Sequence, residues 1–170
     1  MKRTLITVCV AILSVGFTGL SAESKPKVLE NLSALDLLVK SEVETAVSML
    51  QAIFAKHQQG LMTLDESKKL GSDLLRALRY GTDGYFWADT TEGVNVVLYG
   101  LKDVEGRNRL EDKDHKGEFY VKDFLAKGKS GGGFVDYWFP KKGQTTEHPK
   151  RSYVLLFKPF GWVVGSGYYR

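Results

Sequence analysis

The sequence has almost no cysteine. Its single thiol, Cys9, lies in an apolar N-terminal stretch, and nothing downstream of it carries another. Disulfide frameworks, zinc knuckles and thiol catalysis are therefore excluded for the rest of the chain, which has to rely on a packed core. Histidine is scarce too. His57 falls at a helix end and His115 and His148 in loops, with no second histidine at ligand spacing, so no metal site is expected. No nucleophile sits in a Gly-x-Ser-x-Gly elbow. Ser166 in "VGSGY" has glycine on both sides but falls on a strand, where small residues mark close packing. No catalytic set emerges, so neither an enzyme nor a cofactor is expected.

A dominant charge is also lacking, because 24 basic residues face 20 acidic ones. The two signs are interspersed, as in "KDVEGRNRLEDKDHKGE" at residues 102–118, which describes a solvated loop rather than a phosphate track. Nucleic acid is not an expected partner. Within this stretch Asp112, Asp114 and Asp123 follow calcium-loop spacing, but Lys116 occupies a ligand position and would repel the ion. The segment reads as a turn into a short helix. Glycines 131–133 lack a downstream Gly-Lys-Ser/Thr and lead into a strand, so they are no phosphate cradle.

What is present begins with Met1, Lys2 and Arg3, a mostly apolar stretch over residues 5–20, and a small residue at Ala22. This pattern predicts a secretory signal, 1–22, cleaved after Ala22, with an uncleaved membrane anchor as the alternative. Residues 23–170 are then long enough for one domain with its own core. Val28, Leu32, Leu35, Val39, Val43, Ala46, Leu50 and Ile53 recur every three or four positions, which predicts one long amphipathic helix over 28–59. At 1.5 Å per residue it would reach roughly 45 Å. Thr63 and Glu66 make a capping box that opens a second helix over 64–79, with Leu70, Leu74, Leu75 and Leu78 on its buried face.

After Gly84 the pattern changes to short aromatic and β-branched runs: "YFWAD", "VNVVLY", "GFVDYWF", "SYVLLF" and "WVVGSGYY". Five strands over residues 85–169 predict an antiparallel sheet and an α+β fold. Between the second and third lies a charged insertion, residues 100–129, with one helical piece around "FYVKDFLAKG". An insertion of this size commonly serves as a binding lid.

The blocks "LRYGTDGYFWAD", "GGGFVDYWFPKKG" and "HPKRSYVLLFKPFGWVVGSGYY", in that order, resemble the single Cache domain, the extracytoplasmic sensor module of bacterial chemoreceptors, histidine kinases and cyclic-dinucleotide enzymes. The resemblance covers roughly residues 28–169. It implies a PAS-like five-stranded antiparallel sheet carrying a long N-terminal helix, with a small-molecule pocket on the sheet face under the middle loop. It also implies small carboxylate ligands of the acetate, propionate, pyruvate or lactate type, chemotaxis or related signalling, and a periplasmic location. The chain stops on its last strand, where receptors of the family run on into a membrane helix. A free-standing sensor that passes its signal to a separate membrane signalling protein is therefore expected.

A buried carboxylate needs a cation and several donors to offset its lost hydration. Tyr85 and Trp87 share one strand face by alternation, Asn95 and Tyr99 another, and Tyr137 lies on the third strand. Lys150 and Tyr153 match the family's Pro-Lys-x-Ser-Tyr block, although alternation separates them unless a bulge intervenes. Many members carry His-Pro on the second strand, where this chain reads "VVLYG" at residues 96–100. Asn108, ahead of Arg107 in preference, is the candidate to supply what that histidine would. The expected ligand set is thus Tyr85, Trp87, Asn95, Tyr99, Asn108, Tyr137, Lys150 and Tyr153. Trp138, Phe139, Phe157, Phe160 and Trp162 are expected in the core. The alternative function is a structural domain with a vestigial pocket, a homodimer formed through the long N-terminal helix.

Overall fold

The computed structural model describes residues 32–170. The expected signal segment and residues 28–31 of the expected long helix lie outside the described residues. No helix among the described residues is long and apolar enough to cross a membrane.

Helix α1 spans Ala34–Gln58 and α2 spans Leu64–Ala77. A two-rung hairpin follows, β1 (Arg79–Tyr80) against β2 (Gly84–Tyr85). Then come β3 (Trp87–Thr90), β4 (Asn95–Leu98), helix α3 (Tyr120–Lys129), β5 (Gly133–Pro140), β6 (Glu147–Phe157) and β7 (Trp162–Tyr169). The five longer strands form one antiparallel sheet in the order β4-β3-β7-β6-β5, the five-stranded antiparallel sheet that the sequence led us to expect. The last strand in sequence is thus the central one, buried on both faces from Trp162 to Ser166.

The long helix starts later than its apolar spacing predicts. Ser33 caps it: its side chain accepts from Asp36 N while Asp36 Oδ2 accepts from Ser33 N, both at 3.1 Å. This capping box fixes the first turn at Ala34, and the 25 residues reach about 37 Å. It also explains why Leu35, placed on the buried stripe by spacing, is 48% exposed. Asp36 turns inward in its stead, accepting from Arg151 Nε at 2.7 Å and Tyr168 Oη at 3.2 Å. The second capping box forms as its residues require, with Thr63 Oγ accepting from Glu66 N at 3.2 Å and Glu66 accepting from Thr63 N at 2.7 Å. Helix α2 ends at Ala77, three residues before Tyr80, because Leu78 is already extended and Arg79–Tyr80 pair into the hairpin.

The sheet separates two apolar layers. On one face Ala46, Leu50 and Ile53 of α1 and Leu75 of α2 pack against Phe86, Ala88, Val97, Phe157, Phe160, Trp162 and Val164. On the other, Tyr120, Val121, Phe124 and Leu125 of α3 pack against Tyr85, Trp87, Leu98, Val135, Tyr137, Val154 and Val163. Two glycines permit this second layer. A Cβ on Gly128 would stand 2.9 Å from Val163, so its absence lets α3 lie directly on β7. A Cβ on Gly165 would stand 2.2 Å from the Trp87 ring, so the indole lies across bare backbone.

Gly165→Ala is therefore expected to cost about 1–3 kcal/mol by overpacking, read as a melting temperature several degrees lower by circular dichroism. An unchanged melting temperature would show that the indole does not occupy this place.

Candidate functional site

Strand alternation builds the floor of the site. Tyr85, Trp87 and Asp89 project towards α3 from β2 and β3, while Phe86 and Ala88 project towards α1. On β6, Lys150, Ser152 and Val154 take the α3 side, with Lys150 paired to Tyr137 on β5 and to Tyr169 on β7. The insertion forms the roof. Asp114 holds its turn by accepting from Lys116 N and Glu118 N, and ties it to β5 by accepting from Trp138 N at 3.1 Å. This is the turn into a helix that the aspartate spacing allowed. Among the described residues no group of His, Cys, Asp and Glu side chains converges in a way that would hold a metal ion.

Between floor and roof lies a cavity of about 10 Å³, lined by Tyr85, Trp87, Leu98, Arg109, Tyr120, Phe124, Tyr137, Phe139 and Lys150. That is room for about one water molecule. Lys150 is 2% exposed. Its Nζ donates to Tyr85 Oη at 2.6 Å and lies 4.4, 4.9 and 5.3 Å from the ring centres of Tyr85, Tyr169 and Phe139. It makes no ion pair among the described residues. Burial, with the charge of Arg109 adding to it, pushes the ammonium down to about 7.

Arg109 is buried but compensated. Its Nη1 contacts both Asp89 oxygens at 3.2 and 3.3 Å, and its Nη2 donates to Tyr120 Oη at 3.3 Å. Burial works against the guanidinium, but Asp89 beside it prevails and keeps it charged. Burial pushes the Asp89 carboxyl up, with Arg109 and Asn95 opposing. Burial also raises the phenols of Tyr85, Tyr137 and Tyr120, which remain protonated donors. Tyr137 Oη is 3.0 Å from Ser152 Oγ. One more donor is left over: Trp87 Nε1 is buried and finds no acceptor among the described residues. A site with one uncompensated cation, phenolic hydroxyls and an unpaired indole N–H can take one small anion.

Of the eight candidate ligand residues, Tyr85, Trp87, Tyr137 and Lys150 come together in the cavity. Asn95 is buried one step away, where its Nδ2 donates to Asp89 Oδ1 at 2.8 Å and so steadies the partner of Arg109. The other three lie elsewhere. Tyr153 is on the opposite face with Val39, Val43 and Phe134, because β6 runs from Glu147 to Phe157 with no bulge to bring it round to Lys150. Asn108 is spent on its own turn, donating to Glu92 O and accepting from Leu110 N at 3.0 Å each. Tyr99 follows β4 rather than belonging to it; its ring lies 5.6 Å from Tyr85 and its hydroxyl accepts from Lys142 at 2.6 Å. Phe139, expected in the core, lines the cavity. Ser166 is structural, donating to Tyr85 O at 2.6 Å.

The spacing of residues did not reveal Arg109, Tyr120, Leu98 or Phe124. For Arg109 a signal existed. Asp89 alternates onto the same face as Tyr85 and Trp87, and a carboxylate buried there needs a cation. The "EGRNR" loop, which follows the paired strand, held two arginines that could supply it.

Comparison with known proteins agrees with this architecture. The family model for single Cache domain 2 matches residues 35–170. The methyl-accepting chemotaxis protein McpP of Pseudomonas putida is 31% identical over 130 residues, which is 75% of this chain and 24% of that receptor. The chain thus corresponds to about a quarter of the receptor's length. Among solved structures, a periplasmic sensor domain of a chemotaxis protein superimposes with a TM-score of 0.76 at 34% identity, covering 78% of this chain and 93% of its own. A Cache chemosensory domain whose structure concerns carboxylic acid recognition gives 0.76 at 31% identity, covering 78% and 91%. With the sheet order and the family match in agreement, the chain belongs to the single Cache domain 2 family of sensor domains.

Proposed function

We propose that the cavity binds one short-chain monocarboxylate of the acetate, propionate, pyruvate or lactate type, and that the domain reports its occupancy to a membrane signalling protein from the periplasmic side. The observation that carries this reading is Lys150, a buried lysine with no counter-ion among the described residues. A carboxylate beside it would supply the missing charge and accept from Trp87 Nε1 and the tyrosine hydroxyls. Arg109 is already neutralised by Asp89, so Lys150, which a bound anion would keep protonated, is the one positive charge left for a ligand to match, and this favours a singly charged ligand. Even acetate exceeds a single water in size, so binding requires the aromatic rings around the cavity to give way.

A second reading is motivated by Leu35, Leu37 and Leu38, which are 48%, 45% and 44% exposed in the first turns of α1. They would suit a homodimer through this helix, with the cavity vestigial. Light scattering decides: a stable dimer that Leu35→Ser with Leu38→Ser breaks supports it, and a monomer at micromolar concentration removes it.

Two measurements test the first reading. In a thermal-shift panel of C2 to C4 carboxylates, a true ligand at about 100 times its Kd adds ~2.7 kcal/mol of stability, a rise of several degrees. Lys150→Met is expected to abolish that rise, and no shift with any member would end the carboxylate reading. The second needs no ligand. The unfolded chain holds the Lys150 proton up to the ordinary lysine value of 10.5, while the fold releases it near 7. Between these values the unfolded state binds more protons, so stability rises with pH. The melting temperature of the free protein is expected to climb from pH 7 to 9 relative to Lys150→Met; parallel curves would show that Lys150 is not desolvated.

A further inference from the structure

Beside the cavity lies a larger groove of about 780 Å³ that no part of the carboxylate reading uses. The hairpin residues 79–85, the first turns of α1, the turn after β5 and the far end of β7 surround it. Among the described residues its charged lining is Arg79, Lys141 and Lys142 against one acid, Asp83. The cations are gathered on aromatic faces rather than paired with acids. Arg79 stacks 3.4 Å and Lys142 4.2 Å from the centre of the Tyr99 ring, and Lys141 lies 5.4 Å from that of Tyr169.

Tyr85 lines both the groove and the cavity, and it is the one residue they share. It sits on the two-rung hairpin, next to Gly84, with Tyr99 against its ring. Its hydroxyl is held by Lys150, the cation that a carboxylate would engage.

We propose that the groove is an anion-attracting vestibule through which small carboxylates reach the cavity, with Tyr85 as the gate between them. The proposal rests on the carboxylate reading of the cavity. The excess of positive charge raises the local concentration of anions at the mouth, as charged clefts do. An arriving carboxylate competes with Tyr85 for Lys150, and breaking that hydrogen bond frees the ring to swing with its short hairpin. The gate is thus released by the group it admits.

A thiol placed in the cavity reads this route without any carboxylate being bound, so it stands or falls separately from the thermal-shift panel. In a Cys9→Ser background, Leu98→Cys puts one thiol in the cavity wall. Its modification is timed with an anionic sulfonatoethyl and a cationic trimethylammonioethyl methanethiosulfonate at low and high salt. The anionic reagent is expected to react faster, by about tenfold or more at low salt, with the advantage shrinking as salt screens it. Combining Arg79→Gln, Lys141→Gln and Lys142→Gln should remove most of that advantage with Lys150 still in place. Tyr85→Ala should accelerate both reagents and keep the anionic preference, whereas a loosened fold would accelerate both and lose it. A charge preference unaffected by the triple substitution, or a rate unaffected or made charge-blind by Tyr85→Ala, overturns the proposal.

Discussion

An ammonium group buried without a counter-ion is the constraint around which the site is arranged. Leaving water costs Lys150 much of its affinity for a proton, and the surroundings return only part of it. Tyr85 offers one hydroxyl oxygen, and three aromatic rings offer their faces. No carboxylate among the described residues is close enough to pair with it. The second cation nearby, Arg109, has its own acid in Asp89, so its charge is balanced while its bulk and donors still shape the cavity. The result is a small space in which, among the described residues, one lysine lacks a counter-charge and hydrogen-bond donors are in surplus. Such an arrangement is costly for a folded protein unless an anion completes it.

The architecture can bear this cost because the two faces of the sheet have different tasks. The α1 and α2 face is an apolar layer that contains most of the aliphatic packing, whereas the α3 face is richer in aromatic rings. The α3 face is a lighter roof, held by Asp114, by the Arg109–Asp89 pair and by the close approach at Gly128. Strand β6 joins the two, since Lys150 faces the cavity and Arg151, the next residue, faces α1 and binds Asp36 at its first turn. Occupancy of the cavity and the seating of the long helix are therefore one peptide bond apart.

Much of this was legible in the sequence, and what was missed has physical causes. The five strands stood out as aromatic and β-branched runs, and alternation within them correctly put Tyr85 with Trp87 and separated Lys150 from Tyr153. The family block suggested Tyr153 for the site, but the unbroken register of β6 keeps it on the other face. Helix spacing could not show where α1 begins, because its apolar period continues past the Ser33–Asp36 cap that sets the first turn. Loops have no period at all. Which of the three polar residues in "RNR" turns inward depends on a bridge between Val94 and Asn108 that brings Arg109 over Asp89. That pairing joins residues twenty positions apart and leaves no local pattern.

The state of the site turns on one proton, that of Lys150. Nuclear magnetic resonance of the protein with 13C-labelled lysine follows the ε-carbon of Lys150 as pH is varied, with Lys150→Met identifying the signal. A midpoint near 7 in the free protein, moving well upward when a bound carboxylate restores the counter-charge, is the expected result. A midpoint at the ordinary lysine value, unmoved by any carboxylate that raises the melting temperature, would contradict it.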